Sequence, residues 1–274
     1  MRWPPSWLVL LALACHQETI AMDKHGPSDT EPLRIDSMGP DVVLPKIQYP
    51  DGMPFSAWEG YATRELLRAN GFGNARDEWR RACASPLAVI RAGALLLLSE
   101  SPEPADRGLF DAGLSDRYDA VRVWAARGLL QLGDPGAHRV LELLRRKQPA
   151  DGEFAPLVAS RVLGQHHEAA AFETIALAAV SLPDVTVVLK NLAPFVALQG
   201  QPYAPGAFID VWPLYARALA PGDGRGEALA LAQLDELSPP RAAALLRAYL
   251  ARQPPPSEPL KQRAERLLER IAAP

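Results

Sequence analysis

Cysteine is almost missing from this chain. Cys15 and Cys83 are the two in 274 residues, which leaves no cysteine cluster for zinc and, if Cys15 is modified or removed, no intrachain partner for Cys83 and no disulfide framework. An excess of one charge is missing as well. The 29 Lys and Arg are offset by 32 Asp and Glu, a formal net charge of −3 with the signs mixed along the chain. No extended basic surface follows, so nucleic acid is not expected as a partner. Also lacking are a phosphate loop ending in Gly-Lys-Ser/Thr, a Gly-x-Ser-x-Gly nucleophile elbow, a dinucleotide-binding glycine pattern and a His-Glu-x-x-His helix. His166-His167-Glu168 is the nearest approach to a metal motif, but neighbouring helical positions point in different directions, and no second ligand pair has zinc spacing. A turn or surface cluster is the expectation there. No catalytic residue, metal or cofactor is nominated, and a small-molecule ligand is not expected.

What the chain does have begins with its first twenty residues. Arg2 gives a minimal basic start, and Trp7 to Ala14 forms an apolar run too short to span a bilayer as a helix but suited to the core of an export signal. The run ends at Ala12-Leu13-Ala14-Cys15, followed at once by polar His16-Gln17-Glu18. This segment resembles a bacterial lipoprotein signal peptide. The resemblance implies cleavage after residue 14, a lipid on Cys15, and membrane tethering in the cell envelope facing the periplasm or exterior. Ala12 stands where that family prefers Leu, and Leu13 is bulkier than its usual small residue.

Breakers crowd the next stretch. Gly26-Pro27, Glu31-Pro32, Gly39-Pro40, Pro45, Pro50-Asp51-Gly52 and Pro54 prevent a long helix, so residues 15–55 are expected to be a flexible tether or extended arm. Within it Val42-Val43-Leu44 and Ile47 are candidates for docking or a brief strand. Helix is expected from Ser56, which has capping-box spacing to Glu59. A second short helix covers Ala75 to Ala84, and Ser85-Pro86 opens a third. Cys83 reads as a small packing residue.

The strongest signal lies between Ser85 and Arg146. Ile90, Gly93, Ala94, Leu97 and Leu98 share a helical stripe, and Val121, Trp124, Ala125, Gly128, Leu129 and Leu132 repeat the spacing thirty-one residues later. Asp134-Pro135 then supplies a cap and first-turn proline for a helix carrying Ala137, Val140, Leu141 and Leu144. Such helix pairs cannot bury their apolar faces alone, whereas neighbouring pairs can stack into one core. The run Tyr118 to Asp134 resembles a HEAT repeat, matching it at Asp119, Val121, Arg122, Ala125, Ala126, Leu129, Gly133 and Asp134. Ile90 and Arg91 echo Val121 and Arg122 in the preceding unit. A weaker third unit runs through Phe154, Leu157, Val162 and Leu163 and on to Phe172 and Val180, so the resemblance covers residues 85–181.

That resemblance implies an all-α fold, an α-α superhelix of the HEAT-like solenoid type over residues 56–274, with Arg91 and Arg122 bridging adjacent repeats. Beyond it, Val185 to Val196 and Phe208 to Leu219 are expected to be helical, with Pro213 limiting a first turn. Glu227 to Leu237, a helix after Ser238-Pro239, and a final helix presenting Leu260, Ala264, Leu267, Leu268 and Ile271 follow. Arg117, Arg127 and Arg139 are less constrained by the repeat pattern and are candidates for partner contact, as is Tyr203 in a Pro/Gly-rich loop. The functional expectation is a non-catalytic envelope scaffold that binds a protein or peptide. The alternatives are a structural subunit of an envelope assembly, or an enzyme such as the lyases that some HEAT-like proteins resemble.

Overall fold

The computed structural model describes residues 33–34, 42–50, 53–147, 155–182, 184–222, 224–237 and 239–272. The apolar run, Cys15 and Phe154 lie outside the described residues. The fold is predominantly all-α, with fourteen α-helices among the described residues. They fall into two compact units, the first ending at Leu163 and the second beginning at Gly164.

The first unit contains α1 (Phe55–Ala69), α2 (Arg76–Ala82), α3 (Ala88–Glu100), α4 (Arg107–Leu114), α5 (Asp119–Gln131), α6 (Pro135–Arg145) and most of α7 (Ala155–Gln165). A helix that is apolar nearly all round has to be buried on several sides. α3 is that helix: Val89, Ile90 and Ala92 through Ser99 are all buried. It packs against α1 on one flank and α5 on the other, while α2 covers it. α5 takes α4 and α6 as its own partners. On α5 the expected stripe is buried at Val121, Trp124, Ala125, Gly128 and Leu129, with Leu132 half-buried at the helix end.

Two interhelical contacts depend on missing side chains. A Cβ at Gly113 of α4 would lie 2.8 Å from the Ala125 Cβ, and one at Gly128 of α5 would lie 2.3 Å from the Phe110 ring. Phe110, fully buried, therefore lies directly over Gly128. After α5, Gly133 turns the chain at φ 82°, and the Asp134 carboxylate accepts from the Gly136 amide at 2.9 Å with Pro135 as the first helical residue. The cap and proline thus act as their sequence anticipates.

Other starts differ. α1 begins at Phe55 behind an extended Pro54, with no side-chain cap, so Ser56 lies inside the first turn rather than at the cap. Ser85 accepts from the Leu87 amide at 3.2 Å, which turns the chain before α3 instead of capping it. Part of the expected tether is also fixed to the helices. Val42, Leu44 and Ile47 are buried, and strand β2 (Val43–Leu44) pairs antiparallel with β1 (Leu33–Arg34). Asn70 at the end of α1 clamps this segment, its side chain accepting from the Val43 amide at 2.9 Å and donating to the Val43 carbonyl at 2.8 Å.

The second unit contains α8 (Phe172–Ser181), α9 (Val185–Leu189), α10 (Ala193–Val196), α11 (Trp212–Ala218), α12 (Arg225–Leu237), α13 (Ala242–Ala251) and α14 (Glu258–Ala272). The expected helix over 185–196 is broken in two, with Pro194 in the first turn of its second piece. Phe208 is not helical. It ends the hairpin of β3 (Pro202–Ala204) and β4 (Ala207–Phe208), turned by Gly206 at φ 75°, and the helix starts only at Trp212. Phe195 repeats the packing seen in the first unit, its ring lying where a Cβ on Gly164 would come within 2.7 Å. Ala264 and Leu267 of α14 are buried, and Lys261 pairs with Glu265 at 3.9 Å on its outer side.

Candidate functional site

Charged side chains collect where α1, α3, α5 and α7 meet. Glu59 and Arg64 come from α1, Ser99 and Glu100 from the end of α3, Trp124 and Arg127 from α5, and Arg161 from α7. Arg161 donates to Glu59 at 2.7 Å, and Arg64 donates to Glu100 at 2.8 Å. The Arg127 and Arg161 guanidiniums both lie over the Trp124 ring, 5.5 and 5.4 Å from its centroid. Two cations on one indole are held by its electron-rich faces although they repel each other. Gly60 makes the room for this arrangement, since a Cβ there would meet the Glu100 carboxylate at 2.2 Å.

Each pair is half-enclosed rather than solvated. Arg161 is 15% exposed and Glu59 36%. Burial pushes the Glu100 carboxyl above the usual range, opposed by the charges of Arg64 and Arg127. Burial also lowers the Arg127 guanidinium, and the neighbouring Arg161 charge lowers it further. The arrangement holds fixed charge next to an aromatic surface. Within this cluster no nucleophile is paired with a base.

Of the four residues expected to meet a partner, Arg127 alone belongs to this cluster. Arg117 is exposed and stacks on Tyr118, 4.6 Å from its ring centroid. Arg139 is exposed on α6. Tyr203 is strand residue rather than loop, half-buried and edge-on to Phe172 at 5.2 Å, because the hairpin folds back over the start of α8. Sequence reasoning gave Glu59 only a capping role and passed over Arg64, Glu100 and Arg161. For Arg161 there was a legible signal: it is the one charged residue in the α7 sequence, amid Leu157, Val158, Val162 and Leu163.

The repeat positions serve packing and ion pairing. Arg91 clasps Asp116 through two nitrogens at 2.8 and 3.1 Å and donates to the Ser85 and Pro86 carbonyls, tying α3 to the approach to α5. Arg122 instead pairs within its own helix, with Asp119 at 3.0 Å, and Asp119 in turn takes Lys147. Another ion group surrounds the fully buried Asp106, which receives Arg76, Arg80 at 2.8 Å and the Glu103 amide at 2.9 Å. Burial alone would raise the Asp106 and Asp116 carboxyls, but hydrogen bonds from Arg76 and Arg80, and from Arg91, outweigh it and hold both below the usual range. The charge of Asp106 adds to burial in pushing the Cys83 thiol up to about 12, with burial the larger cause.

In the second unit several buried polar side chains pair with one another. Tyr249 donates to Glu227 at 2.7 Å, Arg252 donates to the same carboxylate at 2.8 Å, and Tyr215 donates to Gln233 at 2.9 Å. His167 adopts φ 64° in the turn after α7, so the histidine pair lies in a turn as its sequence suggests. Among the described residues no group of three or more His, Cys, Asp or Glu is placed to hold a metal ion, and no helix is long and apolar enough to cross a membrane. No family model matches the chain, and no curated protein matches it.

Proposed function

We propose that this chain is a HEAT-like helical scaffold of the cell envelope, tethered through Cys15, that binds a protein or peptide segment without catalysing a reaction. The observation that carries the reading is the four-helix charge cluster. Successive hairpins bring α1, α3 and α5 side by side, and two ion pairs, Glu59 with Arg161 and Glu100 with Arg64, gather beside Arg127, with the Arg127 and Arg161 guanidiniums over Trp124. Stacked helical hairpins present this kind of pre-formed surface to extended partners. The export-like leader and Cys15 support an envelope location for that surface, and the Pro-rich residues after Cys15 allow separation from the lipid layer.

The test is intact mass and fractionation of the natively expressed protein and its Cys15→Ser variant, combined with cross-linking capture of envelope proteins. The expected result is a lipidated N-terminus at Cys15, release by the variant, and specific capture that charge-reversing substitutions at Glu59 and Arg161 abolish. A cytosolic product retaining Met1, or capture indifferent to those substitutions, refutes the proposal. One observation favours an assembly subunit as the second reading: Leu177 and Val180 on α8 are 56% and 89% exposed, an apolar strip suited to a flat contact.

A further inference from the structure

We infer that the Arg127 guanidinium is the receptor for a carboxylate supplied by the bound peptide, flanked by Trp124 and Arg161. The inference rests on the scaffold reading above and names what the partner must carry. Three arginines and two glutamates form the cluster, and both carboxylates are already engaged, Glu59 by Arg161 and Glu100 by Arg64. One positive charge is left over, and it is Arg127. Its Nε is buried without a hydrogen-bond partner, and its contact with the Ser99 hydroxyl is long, at 3.4 Å. An arginine stays protonated at neutral pH, so a half-buried guanidinium with its Nε unmatched is costly unless something completes it.

The geometry also selects the ligand class. A guanidinium fork matches a carboxylate with two parallel hydrogen bonds, and a single spare charge balances a single negative one. A phosphate dianion would need a second free cation, and Arg161 is committed to Glu59. Trp124 stiffens the site, because both guanidinium groups already lie over its ring before a ligand arrives. A carboxylate reaches such a site from an acidic side group or from the C-terminus of a peptide.

The experiment uses the full-length protein on an array of short random-sequence peptides. Each peptide is made with its Asp and Glu intact or replaced by Asn and Gln, and with its C-terminus free or amidated. Arg127→Met keeps the apolar stem and removes the charge, Arg127→Lys keeps the charge and removes the fork, and Arg247→Met, at an exposed position of α13, is the control. Retained peptides are expected to weaken about tenfold or more on loss of the carboxylate, and the wild-type preference to vanish in Arg127→Met and shrink in Arg127→Lys. Sensitivity to amidation assigns the C-terminus as the source; sensitivity to Asn and Gln assigns the acidic residues. The melting temperature of Arg127→Met is expected to stay level or rise, since an unmatched charge repelled by Arg161 is removed. A clear fall in melting temperature marks a structural arginine and overturns the inference. Binding indifferent to acidic groups or to Arg127 also overturns it while leaving the scaffold reading standing, whereas an array that retains nothing overturns both.

Discussion

Replacing Gly128 with alanine separates helix propensity from interhelical packing. Alanine is better than glycine within a helix by about 0.8–1.0 kcal/mol, so propensity alone makes Gly128→Ala stabilising. The added methyl carbon would lie 2.3, 2.4 and 2.6 Å from three atoms of the Phe110 ring. Ordinary carbon contacts lie near 3.5–4.0 Å, so ring and helix must separate by about 1 Å. The ring is rigid and fully buried, and close-packed interiors leave a buried ring little room to retreat. Overpacking of this kind costs about 1–3 kcal/mol, toward the upper end here because one ring is struck at three atoms. Subtracting the propensity gain leaves a net loss of about 2 kcal/mol, which corresponds to a melting temperature lower by about 4–8 °C. Circular-dichroism thermal and urea unfolding measure it, with two companions. Gly108→Ala, on an exposed position where a Cβ meets nothing within 4 Å, is expected to be neutral or stabilising by up to about 1 kcal/mol. Phe110→Leu removes part of the obstructing ring, so combined with Gly128→Ala it should cost at least about 1 kcal/mol less than the sum of the two single changes. A Gly128→Ala protein more stable than wild type, or strict additivity with Phe110→Leu, refutes the reasoning.

Other outcomes follow from the buried charges. Glu227→Gln leaves Arg252 enclosed without its carboxylate and is expected to cost about 3–5 kcal/mol in urea unfolding. Asp106 and Asp116 have folded-state pKa values below their unfolded values, so they contribute stability above about pH 4 that is lost as pH falls through the folded values. Urea midpoints from pH 6 to pH 2 should show that loss, and Asp116→Asn should flatten it. Burial raises the Tyr215 and Tyr249 phenols, which reverses the direction: stability is complete below about pH 10 and falls as pH rises through it, measurable by alkaline unfolding and reduced in Tyr215→Phe. With its thiol pushed up to about 12, Cys83 should resist iodoacetamide at pH 8 in the folded protein and react readily in urea.

The elements best legible in the sequence are those whose signals are local. Asp134 and Pro135 specify a helix start through two adjacent residues, and the α3 and α5 stripes arise from spacings of three and four. Where a local signal has a rival, it misleads. Ser56 has capping-box spacing, yet Pro54 takes the cap position before it and α1 begins at Phe55. Phe208 lies in a helix-like pattern, yet Gly206 closes a hairpin before it. The charge cluster was legible only in part, since Arg127 is free of the repeat pattern but the groups around it come from three other segments. Docking of Val42, Leu44 and Ile47 likewise depends on Asn70, twenty-seven positions beyond Val43.

The link between Glu59 and Arg161 spans 102 positions of the sequence. During synthesis at about 5–20 residues per second, α1 therefore waits about 5–20 s after its own translation for the residue that completes its ion pair. Until then Glu59 is unmatched and one side of the Trp124 indole lacks its guanidinium. Helices α1 to α6 can collect through neighbour contacts as they emerge, but the charge cluster closes only when α7 arrives. A contact of such sequence separation is among the slowest a small domain forms. The surface assigned to binding is thus the last part of the first unit to exist, and a nascent polypeptide halted before α7 would carry the helices without the site.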